Sequence, residues 1–250
     1  MGRHTDAEDL ETTVTFDPPT IAAVLAGGTG ARMGAALPKQ LLDVAGRPVL
    51  QHTLEAFQAS PAVDRIVLVM AEGHHEAAWT IAKTANVTKL SAVIGGGATR
   101  ADSSVAAIRW ARSQPEVGDD AKLLIHDAAR MLVTGRIIAD VAAALDGAAA
   151  ATAAIPSSDT VVEVHDGRII AVPDRSALAR VQTPQGFRLG LIAAAHDAAA
   201  ADPAFTATDD CSVVLRYRPD TPVRTVPGSE RNLKVTGPAD LVLAEALLRA

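Results

Sequence analysis

Apolar positions follow two patterns along most of the chain. Short runs that are almost continuously apolar indicate strands covered on both faces of a parallel sheet. These runs lie at 21–25, 65–71, 89–95 and 122–126. Elsewhere apolar residues recur at helical spacing, which predicts amphipathic helices at 48–57, 99–112, 134–145, 188–200, 208–215 and 238–249. The repeated strand–helix order predicts an α/β fold, Rossmann-like and doubly wound, with a mainly parallel sheet.

The pattern changes near Pro156, where short β-type runs replace the strand–helix units. The runs VVEV and RIIAV flank Asp166-Gly167, and an Asp-Gly pair between two such runs indicates a tight hairpin. We therefore expect 156–186 to form a β-arm inserted into one domain at 19–250, after a polar extension at 1–18. A β-segment of this size is not stable alone, so pairing with the arm of a second copy predicts a homodimer.

Composition narrows the possible functions. The chain has 250 residues, of which 48% are hydrophobic, which predicts a large core rather than general disorder. The net charge of −6 disfavours non-specific nucleic-acid binding, so an anion site needs a local cluster of Arg and Lys. No apolar run is long enough to span a membrane, and a single cysteine cannot form an internal disulfide. These features predict a cytoplasmic protein, with Cys211 a buried side chain rather than a nucleophile.

The first predicted strand runs into a glycine-rich loop, LAGGTGARMGAALPKQ at 25–40. The loop is not a P-loop, because Lys39 follows Pro38 instead of a glycine. It is not a dinucleotide fingerprint either, since Met33 stands where the third glycine belongs. Its glycines nevertheless let backbone amides approach an anion, and Arg32 and Lys39 add positive charge. This combination indicates a polyphosphate ligand.

Two further polar segments follow predicted strands. Gly95-Gly96-Gly97 comes after a strand that ends at Ile94, and HDAAR at 126–130 comes after LLI. Ligands of open α/β sheets bind beyond the carboxyl ends of the strands. We therefore expect these segments and the glycine-rich loop to converge at one edge of the sheet and to form one site.

The motifs, taken in order, resemble those of a known family. AAVLAGGTGARMG followed by PKQ resembles the signature of sugar-phosphate nucleotidyltransferases. From Ile21 to the C-terminus the chain is similar to the 2-C-methyl-D-erythritol 4-phosphate cytidylyltransferase family. The other matching segments are GGATRADS (96–103), HDAAR (126–130), DT (159–160), DR (174–175), QTPQGF (182–187), TDD (208–210) and NLKVTGPADL (232–241). Met131 and Ala98 depart from the family pattern, and neither departure removes a charge.

The resemblance implies transfer of CMP from CTP to 2-C-methyl-D-erythritol 4-phosphate, with release of pyrophosphate. The polyol phosphate would attack CTP directly, so catalysis would consist of positioning and charge stabilisation. The implied catalytic residues are Arg32 and Lys39, for the transition state, and Arg175 and Lys234, for placing the attacking phosphate. The residues implied in CTP binding are Ala26, Gly27, Gly28, Gly30, Gly96, Gly97 and Ser103. The residues implied in substrate binding are Asp127, Arg130, Thr160 and Thr183, with both threonines contacting the polyol phosphate from the arm.

The resemblance also implies Mg²⁺ or another divalent cation, held mainly by the phosphates of CTP. The sequence offers no carboxylate cage for it, and we interpret TDD at 208–210 as a helix N-terminus rather than a metal site. A homodimer is implied as well, in which the arm of one subunit completes the site of the other.

Three alternatives stay open at this point. A ribitol-5-phosphate cytidylyltransferase would share the loop and most motifs. A guanylyl- or uridylyltransferase for a sugar 1-phosphate would use a different base, and the arm and QTPQGF argue against it. A non-catalytic nucleotide-binding regulator would have no need to keep Arg32, Lys39 and Lys234 together.

Overall fold

The computed structural model describes residues 17–28 and 37–250. Most of the expected extension at 1–18, together with Gly30 and Arg32, lies outside the described residues. The strands of the described part are β1 Thr20–Ala26, β2 Asp43–Val44, β3 Arg47–Pro48, β4 Arg65–Met70, β5 Leu90–Gly95, β6 Lys122–Asp127, β7 Ala150–Pro156, β8 Glu163–His165, β9 Arg168–Ala171, β10 Ala179–Arg188 and β11 Val223–Pro227. The α-helices are α1 Val49–Ala59, α2 His75–Thr84, α3 Arg100–Arg112, α4 Gly135–Ala144, α5 Leu189–Ala200, α6 Asp210–Tyr217 and α7 Pro238–Arg249.

Seven strands form the central sheet, in the order β11-β7-β10-β6-β1-β4-β5. β10 runs antiparallel to β6 and β7, and the other paired strands of the sheet are parallel. The pairs β2–β3 and β8–β9 form two small antiparallel sheets of their own. The α/β class with a mainly parallel sheet is therefore confirmed.

Both faces of the sheet are buried, which explains the continuous apolar runs. Along β1, Ala22 and Val24 pack in a core with side chains of α1, α2 and α4. The alternate residues Ile21 and Ala23 pack in a second core with α3, α5 and α6. Since successive side chains of a strand point to opposite faces, a strand between two helical layers needs apolar residues at every position. α7 belongs to a third, smaller core through Ala244.

The four predicted strands and six predicted helices are present, each within two residues of the expected bounds. The hairpin at Asp166-Gly167 is also present, with φ of 48° and 73° at the two positions, as a tight two-residue turn requires. Besides the short pair β2–β3, the elements α2 and β11 lacked a clear signal in the sequence. α2 buries only two alanines and leaves Trp79 44% exposed, and β11 is an edge strand with mixed polarity.

The segment expected to form an arm, 156–186, divides into two parts in the structure. Residues 157–178, which we call the arm, lie outside the central sheet and carry the β8–β9 hairpin. From Ala179 the chain has joined the sheet as β10, and 182–187 is buried there. The last part of the expected arm, QTPQGF at 182–187, therefore belongs to the central sheet, because it pairs with β6 and β7.

Candidate active site

The polar segments converge as expected at the carboxyl edge of the parallel strands. A cleft at the ends of β1, β5 and β6, which we call the first cleft, opens there. Its lining contains Ala26, Gly27, Gly28, Lys39, Gln40, Gly97, Ala98, Thr99, Arg100, Ser103, Asp127 and Lys234. The predicted catalytic lysines and most of the predicted CTP-binding residues in the described part therefore share one cleft.

The backbones of Gly27, which lines the first cleft, and of Gly96, which is not in its lining, approach each other closely. A Cβ added to Gly96 would lie 3.3 Å from the Cα of Gly27 and 3.0 Å from the Oγ of Ser103. A Cβ added to Gly27 would lie 2.9 Å from the same oxygen. No larger side chain fits either position without displacing its neighbours, so this part of the cleft has walls made of backbone and one hydroxyl.

The N-terminus of α3 lies beside these glycines. Thr99 Oγ1 accepts a hydrogen bond from the amide of Asp102 at 3.1 Å, and Asp102 Oδ2 accepts one from the amide of Thr99 at 2.9 Å. This reciprocal capping box fixes where the helix begins. A Cβ on Gly97 would lie 2.1 Å from Asp102 Cβ, so the loop can pass the cap only because residue 97 is a glycine.

The glycine-rich loop is tied to the turn that carries Lys39. The buried side-chain amide of Gln40 donates to the carbonyls of Ala26, at 2.5 Å, and Gly28, at 3.1 Å. Lys39 Nζ donates to the carbonyl of Val235 at 2.8 Å. These contacts hold β1, the lysine and the C-terminal NLKV segment in one arrangement. Gln40 stands in the sequence motif PKQ, but its side-chain contacts are with Ala26 and Gly28, far away in the chain, so the motif alone does not predict them.

Asp127 stands at the centre of an ion-pair cluster. Its Oδ1 accepts from Arg100 Nε at 2.9 Å and its Oδ2 from Lys234 Nζ at 2.7 Å. Burial by itself would raise the pKa of Asp127, but the charges of Arg100 and Lys234 outweigh it and hold that pKa well below its usual range. Asp127 is therefore ionised at neutral pH, and both carboxylate oxygens are used by cations of the protein.

A second cleft adjoins the first and shares Arg100, Asp127 and Lys234 with it. Its other lining residues are Arg130, Val181, Gln182, Thr183, Gln185, Thr208 and Asp209. Arg130 Nη1 donates to the carbonyl of Asn232 at 2.8 Å. Among the described residues, the two clefts together are lined by four cations, Lys39, Arg100, Arg130 and Lys234, and by two anions, Asp127 and Asp209. This local excess of positive charge contrasts with the net −6 of the chain.

The expectation that Thr183 belongs to the arm is wrong. Thr183 is buried in β10, where its Oγ1 accepts from the amide of Asp127 at 3.1 Å and lies 3.0 Å from His126 Nδ1. Burial lowers the pKa of His126 to about 3, so the ring is neutral. Its contacts assign a tautomer in which Nδ1 accepts from Thr183 and Nε2 donates to the carbonyl of Arg130 at 3.3 Å. Thr183 and His126 thus fix the backbone at 127–130 within the same chain.

Two predicted residues lie away from both clefts of their own chain. Thr160 and Arg175 are exposed on the arm, and neither lines the first or the second cleft. Arg175 Nη1 donates weakly to the carbonyl of Ser158 at 3.4 Å. Within this chain, neither residue therefore contributes to the lining of the two clefts.

The remaining expectations concern residues at or near the site. Asp209 is the N-cap of α6, with its side chain accepting from the amide of Ser212, so TDD begins a helix as expected. Cys211 is buried, and burial raises the pKa of its thiol above the usual range. Met131 packs in the third core with Val235, and Ala98 lines the first cleft.

Comparison with known proteins agrees with this arrangement. A family model described as IspD, 2-C-methyl-D-erythritol 4-phosphate cytidylyltransferase, matches residues 20–250. The chain is 52% identical to a 2-C-methyl-D-erythritol 4-phosphate cytidylyltransferase of Thermobifida fusca, over 93% of this chain and 94% of that protein. It is 38% identical to the bifunctional ribulose 5-phosphate reductase/CDP-ribitol pyrophosphorylase Bcs1 of Haemophilus influenzae, over 92% of this chain and 48% of that protein.

The fold agrees as well. A crystal structure of a 4-diphosphocytidyl-2C-methyl-D-erythritol synthase from Anaerococcus prevotii superimposes with a TM-score of 0.82, at 26% identity, over 93% of this chain and 97% of that one. The match of the family model over nearly the whole described chain decides the assignment. The chain belongs to the 2-C-methyl-D-erythritol 4-phosphate cytidylyltransferase family and is a nucleotidyltransferase.

Proposed function

We propose that the protein transfers the CMP moiety of CTP to 2-C-methyl-D-erythritol 4-phosphate, giving 4-diphosphocytidyl-2-C-methyl-D-erythritol and pyrophosphate. The observation that carries the proposal is the pair of adjoining clefts, which share Arg100, Asp127 and Lys234. A nucleotide in the first cleft and a polyol phosphate in the second would meet at this cluster. Family membership supports the same reaction.

The reaction is a single displacement at phosphorus. An oxygen of the polyol phosphate forms a bond to the α-phosphorus of CTP, and the bond from that phosphorus to the β-phosphate oxygen breaks. Two obvious candidates for a competing nucleophile among the described residues are occupied or buried: both oxygens of Asp127 are in ion pairs, and Cys211 is a buried thiol with a raised pKa. The protein therefore acts by placing the two phosphates and by stabilising the charge that develops.

Positively charged side chains would place the phosphates and stabilise the charge that develops in the reaction. Lys39 lies in the first cleft and would stabilise the charge that builds on the triphosphate, together with Arg32. Lys234 lines both clefts, where its ammonium would place the attacking phosphate, and Arg130 adds a further cation in the second cleft. Removing one such group costs about 10²–10³ in rate when it acts on the developing charge.

The first cleft also suits a pyrimidine base. Gly27, Gly97 and Ser103 line this cleft, and Gly96, which is not in the lining, packs closely against Gly27 and Ser103. Backbone amides and carbonyls in fixed positions can read the edge of cytosine, and a small pocket built from backbone groups would exclude the larger purines.

We propose a divalent metal requirement, with Mg²⁺ as the physiological ion. Among residues 17–28 and 37–250, no three His, Cys, Asp or Glu side chains gather to hold a metal. Of the described residues that line the first cleft, Asp127 alone is a carboxylate, and it is already paired twice. Such a donor set fits an ion that reaches the site on the triphosphate, where it would neutralise charge between phosphate oxygens.

We also propose that the active form is a homodimer. The arm exposes large apolar side chains, with Val164, Ile169, Ile170 and Val172 each 59–65% exposed, and this favours burial against a partner. Thr160 and Arg175 would then reach the second cleft of the partner subunit, since they do not line the clefts of their own chain.

The single buried cysteine supports a reducing, cytoplasmic location.

A substrate panel tests the proposed function. Purified protein is given CTP, UTP or GTP with 2-C-methyl-D-erythritol 4-phosphate or ribitol 5-phosphate, and pyrophosphate release is measured. We expect turnover with CTP and the methylerythritol phosphate far above every other pair. Preferred use of ribitol 5-phosphate would reassign the polyol, and equal turnover with GTP or UTP would contradict the cytidine assignment.

A further inference from the structure

Arg100 forms ion pairs with two buried carboxylates at the clefts, and the family resemblance gave it no role. Its Nε donates to Asp127 Oδ1 at 2.9 Å and its Nη1 to Asp210 Oδ2 at 2.7 Å. The two carboxylates come from separate elements, the end of β6 and the first residue of α6. One guanidinium therefore joins three elements, since Arg100 itself begins α3.

We propose that Arg100 is a positioning residue, which holds Asp127 so that Lys234 is presented to the attacking phosphate. The inference rests on the proposed function, in which Lys234 places that phosphate. Asp127 has two oxygens, and Arg100 uses one while Lys234 uses the other. The contact of Arg100 with Oδ1 fixes the orientation of the Asp127 carboxylate. That orientation determines where Oδ2 accepts the hydrogen bond from Lys234 Nζ.

The far side of Arg100 is anchored so that its guanidinium cannot swing away. Asp210 is 1% exposed and its second oxygen accepts from His196 Nε2 at 3.0 Å. The backbone amide of Asp210 also donates to Gln185 Oε1 at 3.1 Å. The buried side chain of His196 thus holds the carboxylate of Asp210, and the buried side chain of Gln185 holds its backbone.

The planar fork of arginine matters for this task. Arg100 reaches two carboxylates through different nitrogens, and an ammonium has no comparable fixed geometry. The charges also support each other: burial would lower the pKa of Arg100, but Asp210 and Asp127 raise it above its usual range. Arg100 is therefore a permanent charge between two permanent carboxylates.

Direct contact with a substrate is the competing role. Arg100 Nη2 has no hydrogen-bond partner among the described residues, and Arg100 lines both clefts. A double-mutant cycle separates the two roles. If Arg100 acts through Asp127, its removal adds little once Asp127 has been changed. If it acts on substrate, the two losses multiply.

The test compares Arg100→Met and Arg100→Lys with Arg109→Met, a matched control on the exposed face of the same helix. Turnover with CTP and 2-C-methyl-D-erythritol 4-phosphate, CTP binding and the melting temperature are measured for each. We expect Arg100→Met to lower kcat by about 10²-fold, the scale of a small misplacement of a reacting group, while CTP binding is retained. Arg100→Lys keeps the positive charge and the fold but lacks the planar guanidinium that contacts both carboxylates. Its kcat should therefore stay well below that of the wild type. Arg109→Met matches the wild type.

The cycle is completed with Asp127→Asn and the double variant Arg100→Met/Asp127→Asn. We expect the double variant to lose no more kcat than the more damaged single variant. A wild-type kcat in Arg100→Lys and Arg100→Met, or losses that multiply in the double variant, would overturn the positioning role while leaving the proposed function intact. Absence of turnover by the wild-type protein itself would refute the proposed function, and the inference with it.

Discussion

Mixing two inactive variants tests whether each active site is built from two subunits. Lys39 lines the first cleft of its own chain, whereas Arg175 is exposed on the arm and lines neither cleft. If the arm reaches the partner, a site needs Lys39 from one subunit and Arg175 from the other. Lys39→Ala and Arg175→Ala proteins are therefore each inactive alone, since every site in either homodimer lacks one of the two residues.

The expected recovery follows from counting sites. Random pairing of equal amounts of the two variants makes about half of the dimers mixed, given two-fold symmetry. A mixed dimer has one site that lacks both residues and one site that lacks neither. About half of the dimers then carry one intact site of two, so activity should recover to about a quarter of the wild-type value.

The assay is pyrophosphate release after the two variants are unfolded together and refolded, with differently tagged subunits to measure the fraction of mixed dimers. The matched control mixes Lys39→Ala with Lys234→Ala. Both lysines line the first cleft of the same chain, so no pairing restores a complete site and activity stays absent. Mixed dimers of Lys39→Ala and Arg175→Ala without regained activity would refute the shared site.

The remaining predictions concern charge, the glycine backbone and the metal. Lys39→Ala should lower kcat by about 10²–10³-fold with a smaller effect on CTP binding; a raised KM at normal kcat would show that Lys39 binds only the ground state. Gly97→Ala should open the Thr99–Asp102 cap, because its Cβ would lie 2.1 Å from Asp102 Cβ. We expect a loss of about 1 kcal/mol of stability, a fall in melting temperature of about 2–4 °C, and weaker CTP binding by calorimetry. Gly135→Ala is the control, since its Cβ would meet nothing within 4 Å, and equal behaviour of the two variants would contradict the argument. Excess EDTA should abolish pyrophosphate release and added Mg²⁺ should restore it; undiminished turnover in EDTA would exclude the proposed metal requirement.

The fold could be predicted from the sequence wherever burial repeats regularly. β1, β4 and β6 lie between two helical layers, so their apolar runs are continuous and unambiguous. α2 gave no such signal because two alanines make most of its buried contact. The sequence predicts Thr183 on the arm because QTPQGF follows the hairpin in the chain. Only the antiparallel pairing of β10 with β6 brings Thr183 beside Asp127.

The candidate site divides in the same way. Recognisable motifs contain Lys39, Lys234 and the glycines, so these residues could be predicted as site residues from the sequence. The structure brings most of the described ones to one cleft. Arg100, Gln40 and Asp210 act through contacts between residues far apart in the chain, such as the 110-residue separation of Arg100 and Asp210. Nothing in the spacing of charges along a sequence encodes such a pairing, because the sheet order determines which strand ends become neighbours.

Direct attack of the polyol phosphate on CTP is the central claim, and the stereochemical course at the α-phosphorus tests it most directly. Wild-type protein is given one diastereomer of CTP with sulfur in place of a non-bridging α-oxygen, together with 2-C-methyl-D-erythritol 4-phosphate, and the configuration of the product is read by ³¹P NMR. A single in-line displacement predicts a diphosphocytidyl product with inverted configuration. Retention would require two displacements and a covalent intermediate on the protein, and would contradict the account.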